Sequence, residues 1–239
     1  MAGEAWKLFL EIQEKGGFLE AFKAGFIQEK IRESAQQRDM DIATRKEIIL
    51  GTNQYPNSGE IKTEKLDESV FEPYDQRDED TGVETLKIYR GPQAFEKLRY
   101  QTDRYAESKA RPKVFLITMG NLAMRRARAQ FAANFFGCAG YKIIDNIGFK
   151  NVDEAVEACL KAGADIAVIC SSDEDYAEIA SDLAAKLKDK TILVLAGYPK
   201  ELVEDLKEKG IEYFIHIKSN VLETLKEFQK KLVTNTAEL

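Results

Sequence analysis

Lys113-Val114-Phe115-Leu116-Ile117-Thr118, followed by Met119-Gly120-Asn121-Leu122-Ala123-Met124-Arg125-Arg126-Ala127, is the stretch that decides the fold. The first six residues form a near-continuous apolar run of strand length, the pattern of a strand covered by helices on both faces. After Asn121 the apolar residues take up helical spacing, and residues 122–138 are expected to form a helix. The alternation then repeats. Strands are expected at 141–144, 165–170, 191–196 and 211–215, and helices at 153–162, 173–188, 200–209 and 221–233. Gly140, Gly163 and Gly210 fall between helix and strand, where a left-handed cap is wanted. Five strand-helix units of about 25 residues predict a doubly wound, five-stranded parallel sheet.

Upstream the pattern changes. Residues 4–37 read as helix in two pieces broken at Gly16-Gly17, with Trp6, Phe9, Leu10 and Ile12 apolar in the first and Phe18, Leu19, Phe22, Phe26 and Ile27 in the second. Residues 47–51 read as a short strand, which would need a pairing partner. Residues 52–85, with Pro56, Gly59, Pro73 and Gly82, read as a long connection. Between Glu60 and Glu84 this connection holds ten acidic residues against Lys62, Lys65 and Arg77. That segment nets −7 while the whole chain nets −6, so the remainder is close to neutral at about +1. No dominant basic surface is implied, and nucleic acid is not an expected partner. A further helix is expected over 93–109, after Pro92 and before Pro112. The fold expected is therefore a flavodoxin-like sheet preceded by a helical segment and an acidic linker.

Bulk composition narrows the class. The 239 residues, 44% hydrophobic and 32% charged, suit a globular chain with one large or two small domains. No apolar run approaches the roughly 18–20 residues of a membrane span, and residues 1–7 lack the layout of a secretory signal. Cys138, Cys159 and Cys170 are odd in number and unclustered, which suits buried reduced thiols and a cytoplasmic setting.

In such sheets ligands bind at the carboxyl ends of the strands. That rim reads Gly120-Asn121, Asp145-Asn146, Ser171-Ser172-Asp173, Gly197-Tyr198 and His216-Ile217-Lys218. A dinucleotide loop needs G-x-G-x-x-G, and only Gly120 is present. A phospho-acceptor site needs acids after the first strand; Lys218 and Asp173 fit loosely, but the acids are absent. Ser172 before Asp173, Glu174 and Asp175 makes a good helix cap. His216, the only histidine, reads as a polar residue satisfied at a strand end. Arg125, Arg126 and Arg128 sit near a helix start, where cations oppose the dipole. A solvated face, a partner chain and an anionic ligand are the three readings of that cluster. Met124, Ala127, Phe131 and Phe135 are expected to form the buried stripe of the same helix.

The chain resembles the C-terminal part of the small (beta) subunit of the methylmalonyl-CoA mutase family. The resemblance is carried by residues 7–31 with Gly16-Gly17 and Ala24-Gly25-Phe26, and by Ile49-Leu50-Gly51-Thr52-Asn53-Gln54-Tyr55. Arg90-Gly91-Pro92 through Arg99, Asn134-Phe135-Phe136 through Gly140, and Ser171-Ser172-Asp173 with Tyr176 extend it. Cobalamin-binding domains of that family carry D-x-H-x-x-G after the first strand, its histidine coordinating cobalt. The resemblance places Leu122 at the aspartate, Met124 at the histidine and Ala127 at the glycine, so all three are lost. Ser171 and Gly197 are what remains of two further motifs. The implied organisation is residues 1–55 as the trailing edge of the mutase barrel, 56–110 as acidic linker and helix, and 111–239 as a degenerate cobalamin-binding-like domain. The implied function is a non-catalytic, structural part of a heterodimeric mutase. The large (alpha) subunit would hold adenosylcobalamin and the active site, and this chain would bind no cofactor. The acyl-CoA barrel needs about 250 residues by itself, so the chain is expected to be a fragment or one piece of a split subunit. Two alternatives stand beside this reading: a cobalamin domain that still binds weakly, and a module sensing an anion at Arg125–Arg128.

Overall fold

The structure is a computed structural model of the 239-residue chain and describes residues 2–60, 67–71, 82–86 and 88–234. Parts of the acidic connection, residues 61–66, 72–81 and 87, lie outside the described residues.

The five strands form where the alternation places them: β1 Lys113–Thr118, β2 Lys142–Ile144, β3 Ile166–Cys170, β4 Ile192–Ala196 and β5 Tyr213–Ile215. They pair in parallel in the order β2-β1-β3-β4-β5, the flavodoxin-like order. Register is set by pairs such as Leu116 with Val168 and Val194 with Tyr213. Because side chains alternate along a strand, each strand feeds two cores. Val114, Leu116, Ile166 and Val168 face α5 (Leu122–Gly137) and α9 (Val221–Gln229), which a π-helical turn, Lys230–Thr234, prolongs. Phe115, Ile117, Ala167 and Ile169 face α6 (Val152–Ala162), α7 (Asp173–Leu187) and α8 (Val203–Glu208). Gly140, Gly163 and Gly210 take positive φ of 73°, 59° and 99°, as their place between helix and strand requires.

Ahead of the sheet come α1 (Ala2–Glu14), α2 (Phe18–Lys23) and α3 (Phe26–Ala43), so the expected two helical pieces are three. Gly16 and Gly17 make the first break, and the second is at Gly25, in the left-handed region with φ 80°. The chain does not form the expected strand at 47–51. Its backbone is claimed instead by Asn53, a fully buried amide. The Asn53 Oδ1 accepts from Ile49 N at 2.8 Å, and its Nδ2 donates to Ile42 O at 2.8 Å and Glu47 O at 2.9 Å. One side chain thereby satisfies two backbone groups of the expected strand, Ile49 N and Glu47 O, and ties them to the end of α3 through Ile42 O. Only a single bridge, Leu50 to Gln54, remains.

After a 3-10 turn at Glu68–Phe71, α4 (Gln93–Tyr105) buries Phe95 and Leu98 in the core shared with α5 and α9. Arg99 holds the connection from α4, donating to Asn57 O and Glu60 O at 2.7 Å each. Among the described residues no helix is long and apolar enough to cross a membrane.

Candidate functional site

The carboxyl rim of the sheet is where a doubly wound fold binds ligands, and here several of its polar side chains bond to one another and to the loop backbones. The loop after β1 turns at Gly120, whose φ is 71°. A Cβ there would stand 2.1 Å from Asp175 Oδ2, so glycine is required by both backbone and space. Asp175, in the first turn of α7, reaches across to this loop and accepts from Asn121 N at 3.2 Å. The buried Ser171 hydroxyl lies 2.8 Å from both Asp175 Oδ2 and Met119 O and shares its proton between them. These bonds, Ser171 first, hold the Asp175 carboxyl below the usual carboxylate range. Ser172 caps α7 as expected, its hydroxyl accepting from Asp175 N at 3.2 Å.

Tyr176 lies between Ser171 and Gly197, the two rim positions singled out in the sequence. The ring is fully buried. Its hydroxyl accepts from Ser171 N at 3.1 Å and donates to Ala196 O at 2.7 Å, tying the ends of β3 and β4 together. Burial pushes its phenol pKa upward. A Cβ on Gly197 would meet Tyr176 Cε2 at 3.2 Å, and Arg128 Nη1 and Asp173 Oδ1 at 3.3 Å. On the other flank Asn146 accepts from Thr118 Oγ1 at 2.6 Å and Gly148 N at 3.0 Å, and donates to Leu116 O.

Asn121 caps α5 by accepting from Ala123 N at 3.0 Å and Met124 N at 3.2 Å. The expected buried stripe of this helix holds in its second half only. Phe135 is buried and Phe131 is half-buried against the core, with Ala129, Ala132, Phe136 and Gly137 also buried, whereas Met124 and Ala127 are exposed. Leu122 is 57% exposed and Met124 38%. The first turn of α5 projects past the end of β1, so only residues from Ala129 onward lie over the sheet. The arginine cluster is also redistributed. Arg125 folds back to Ile147 O at 3.1 Å and Gly120 O at 3.4 Å. Arg128 pairs with Asp173 at 3.0 Å, and Arg126 is exposed. Two of the three cations therefore brace the rim's own loops.

His216 closes β5 as a satisfied residue. Its N–H donates to Ser219 Oγ at 2.9 Å, its Nδ1 accepts from Lys218 N at 3.2 Å, and its ring lies 5.0 Å from Tyr198. Partial burial, then Lys218 and Arg128, lower its pKa and favour neutral imidazole. Cys138, Cys159 and Cys170 are buried and free, and burial raises the Cys159 thiol to about 11.

The sequence named Ser171, Gly197, Asp175 and Tyr176 but not the bonds that join them. Asp175 reads locally as a dipole-complementing acid of α7, and its long-range bond to the β1 loop has no signature in spacing. Tyr176 in a helix reads as core, and its hydroxyl's role emerges only once β3 and β4 are adjacent.

A sequence model of the family described as methylmalonyl-CoA mutase matches residues 1–125, just over half of the chain. The chain belongs to the methylmalonyl-CoA mutase family. It is 47% identical over 228 residues to the methylmalonyl-CoA mutase small subunit of Porphyromonas gingivalis, covering 95% of this chain and 36% of that protein. It is 33% identical over 200 residues to the small subunit of Streptomyces virginiae, covering 82% of this chain and 31% of that one. The small subunit of Propionibacterium freudenreichii subsp. shermanii is 29% identical over 229 residues, covering 94% and 34%. The chain thus spans about a third of the length of the curated relatives it matches.

Proposed function

We propose that this chain is a non-catalytic assembly part of a heterodimeric, adenosylcobalamin-dependent methylmalonyl-CoA mutase. The holoenzyme would interconvert methylmalonyl-CoA and succinyl-CoA, with cobalamin supplying the radical from the large subunit. The observation that supports this reading is the bonding at the rim: Asp175, Ser171 and Tyr176 spend their polar groups on one another and on the strand ends and loops beside them. The residues present do not fit cobalamin held from below by an imidazole. Met124 offers an exposed thioether at the histidine position, and Leu122 has no acceptor to orient a ligand. The names of the relatives support a place in the mutase, and a small subunit implies a large one.

Titration of the folded chain with adenosylcobalamin and hydroxocobalamin, followed by visible absorption, tests the cofactor half. A flat titration is expected; saturable binding with a shifted corrin spectrum overturns it. Mixing with a large mutase subunit in sedimentation velocity tests the assembly half, and separate boundaries at micromolar concentrations overturn that. The anion-sensing alternative is weakened because Arg125 and Arg128 are engaged within the rim.

A further inference from the structure

We infer that the groove between α3, α4 and α9 is a binding site for an uncharged amphipathic small molecule, an apolar body carrying an N–H or O–H donor. The site stands apart from the mutase assembly and holds whether or not that reading does. The groove has a volume of about 1080 Å³, at the upper end of the roughly 300–1,000 Å³ of small-molecule sites. It lies on the seam where the N-terminal helices meet the sheet, and such seams are a preferred place for ligands. Each flanking helix turns one stripe to it. Gln28, Ile31, Ala35 and Ile42 recur at three-, four- and seven-residue intervals on α3. Ala94, Leu98 and Gln101 do the same at four and three on α4. Leu222 of α9, with Phe71 and Leu86 of the connection, extends the apolar lining. Ile42, Leu98 and Leu222 are buried, whereas Ile31, Met40 and Leu86 stay 43%, 52% and 38% exposed along the groove.

The polar groups choose the ligand's chemistry. Arg32 pairs with Glu84 at 2.6 Å, Lys226 with Glu223 at 2.8 Å, and Arg90 with Glu96. Tyr89 donates to Asp39 at 3.0 Å. A charged ligand would therefore compete with pairs already made. What the groove leaves unspent is an acceptor. Gln28 is 3% exposed, and its Nε2 donates to Phe22 O at 3.0 Å and Glu84 O at 2.6 Å, which fixes the other end of the amide as oxygen. That Oε1 is buried and has no hydrogen-bond partner among the described residues. A buried acceptor without a donor is costly, so a ligand that brings an N–H or O–H gains what a plain hydrocarbon cannot.

The test is a magnetic-resonance titration of the isotope-labelled full chain with N-hexylacetamide, read on the backbone amides of α3, α4 and α9 and on the Gln28 side-chain amide. Saturable shifts confined to those groups are expected by about 10 mM, the range for so small a probe. N-hexyl-N-methylacetamide keeps the apolar body but has lost the donor, and should bind about tenfold more weakly. Hexanoate and hexylammonium, which carry a charge on the same chain, should bind more weakly than the secondary amide. Ala94→Trp and Ala35→Trp each put an indole into the groove, from α4 and from α3, and should abolish the shifts. Ala94 is exposed and Ala35 half-buried, so far-ultraviolet circular dichroism of both variants should be unchanged. Absence of saturable shifts overturns the site, and so does binding that survives either tryptophan in a folded chain. Equal affinity for the two amides overturns the donor as the recognised group. Tighter binding of hexanoate or hexylammonium overturns the uncharged ligand.

Discussion

The sheet half of this molecule and its helical arm treat apolar residues in opposite ways. From β1 onward the large side chains turn inward: Phe135, Phe136, Tyr141 and Phe228 are fully buried, their rings 5.2–6.4 Å apart. Even the polar rim is satisfied from within. In α1 and α2 comparable side chains face solvent, and Trp6, Phe9 and Phe18 touch chiefly their own helical neighbours. The two halves have similar composition, so composition does not separate them. One half completes a layered fold from its own sequence, and the other leaves its large apolar side chains largely uncovered.

Core truncation should expose this difference most strongly. Phe136→Ala removes a ring packed against Phe135, Tyr141 and Phe228 and should cost about 3–5 kcal/mol in urea unfolding. Phe9→Ala in the arm should change the isolated chain by no more than about 0.5 kcal/mol. Similar losses from the two variants would mean that the arm is already packed in the isolated chain.

Next in size is the splint across the rim. Tyr176→Phe keeps the ring in its slot but strands Ala196 O and Ser171 N, both buried, so a loss of about 1–3 kcal/mol is expected. If the bonded rim is what excludes cobalamin, this variant should still give a flat spectroscopic titration, because the ring remains. Tyr176→Gly, which removes the ring, is the variant in which the same titration should depart from flat. A Tyr176→Phe chain of unaltered stability would demote the hydroxyl from splint to bystander.

Much of the sheet half was legible because period and punctuation agree there: apolar strands, helical stripes, and glycines where left-handed caps are needed. The arm was less legible. Gly25 ends a helix that apolar spacing alone would carry through, and residues 47–51 look like a strand until Asn53 claims their backbone. The expected loss at Leu122, Met124 and Ala127 rests on resemblance alone. The buried stripe of α5 was right at Phe131 and Phe135 and wrong at Met124 and Ala127, because periodicity gives the phase of a helix but not where along it the cover begins. The Asp175 latch was illegible for a different reason: its partners are 54 residues apart, and only the adjacency of β1 and β3 brings them together.

That latch supplies the smallest effect. The Asp175 carboxyl is held below its usual range by Ser171, Ser172 and Asn121 N. A group whose pKa is depressed by folding contributes stability that is fully present above its unfolded pKa, about 3.9. The contribution is lost as pH falls through the folded value, because the unfolded state then binds the proton more readily. The chain should therefore lose stability below about pH 4 with a component that Asp175→Asn removes. At pH 7 the variant should be slightly less stable, and the two unfolding curves should converge as the solution is acidified. Trp6 is 60% exposed and lies in the arm, so its fluorescence should miss this transition, while far-ultraviolet circular dichroism of the sheet half should follow it. Parallel pH profiles for the two chains would show that the rim is held by Tyr176 alone and that Asp175 is merely an acid of the first turn of α7.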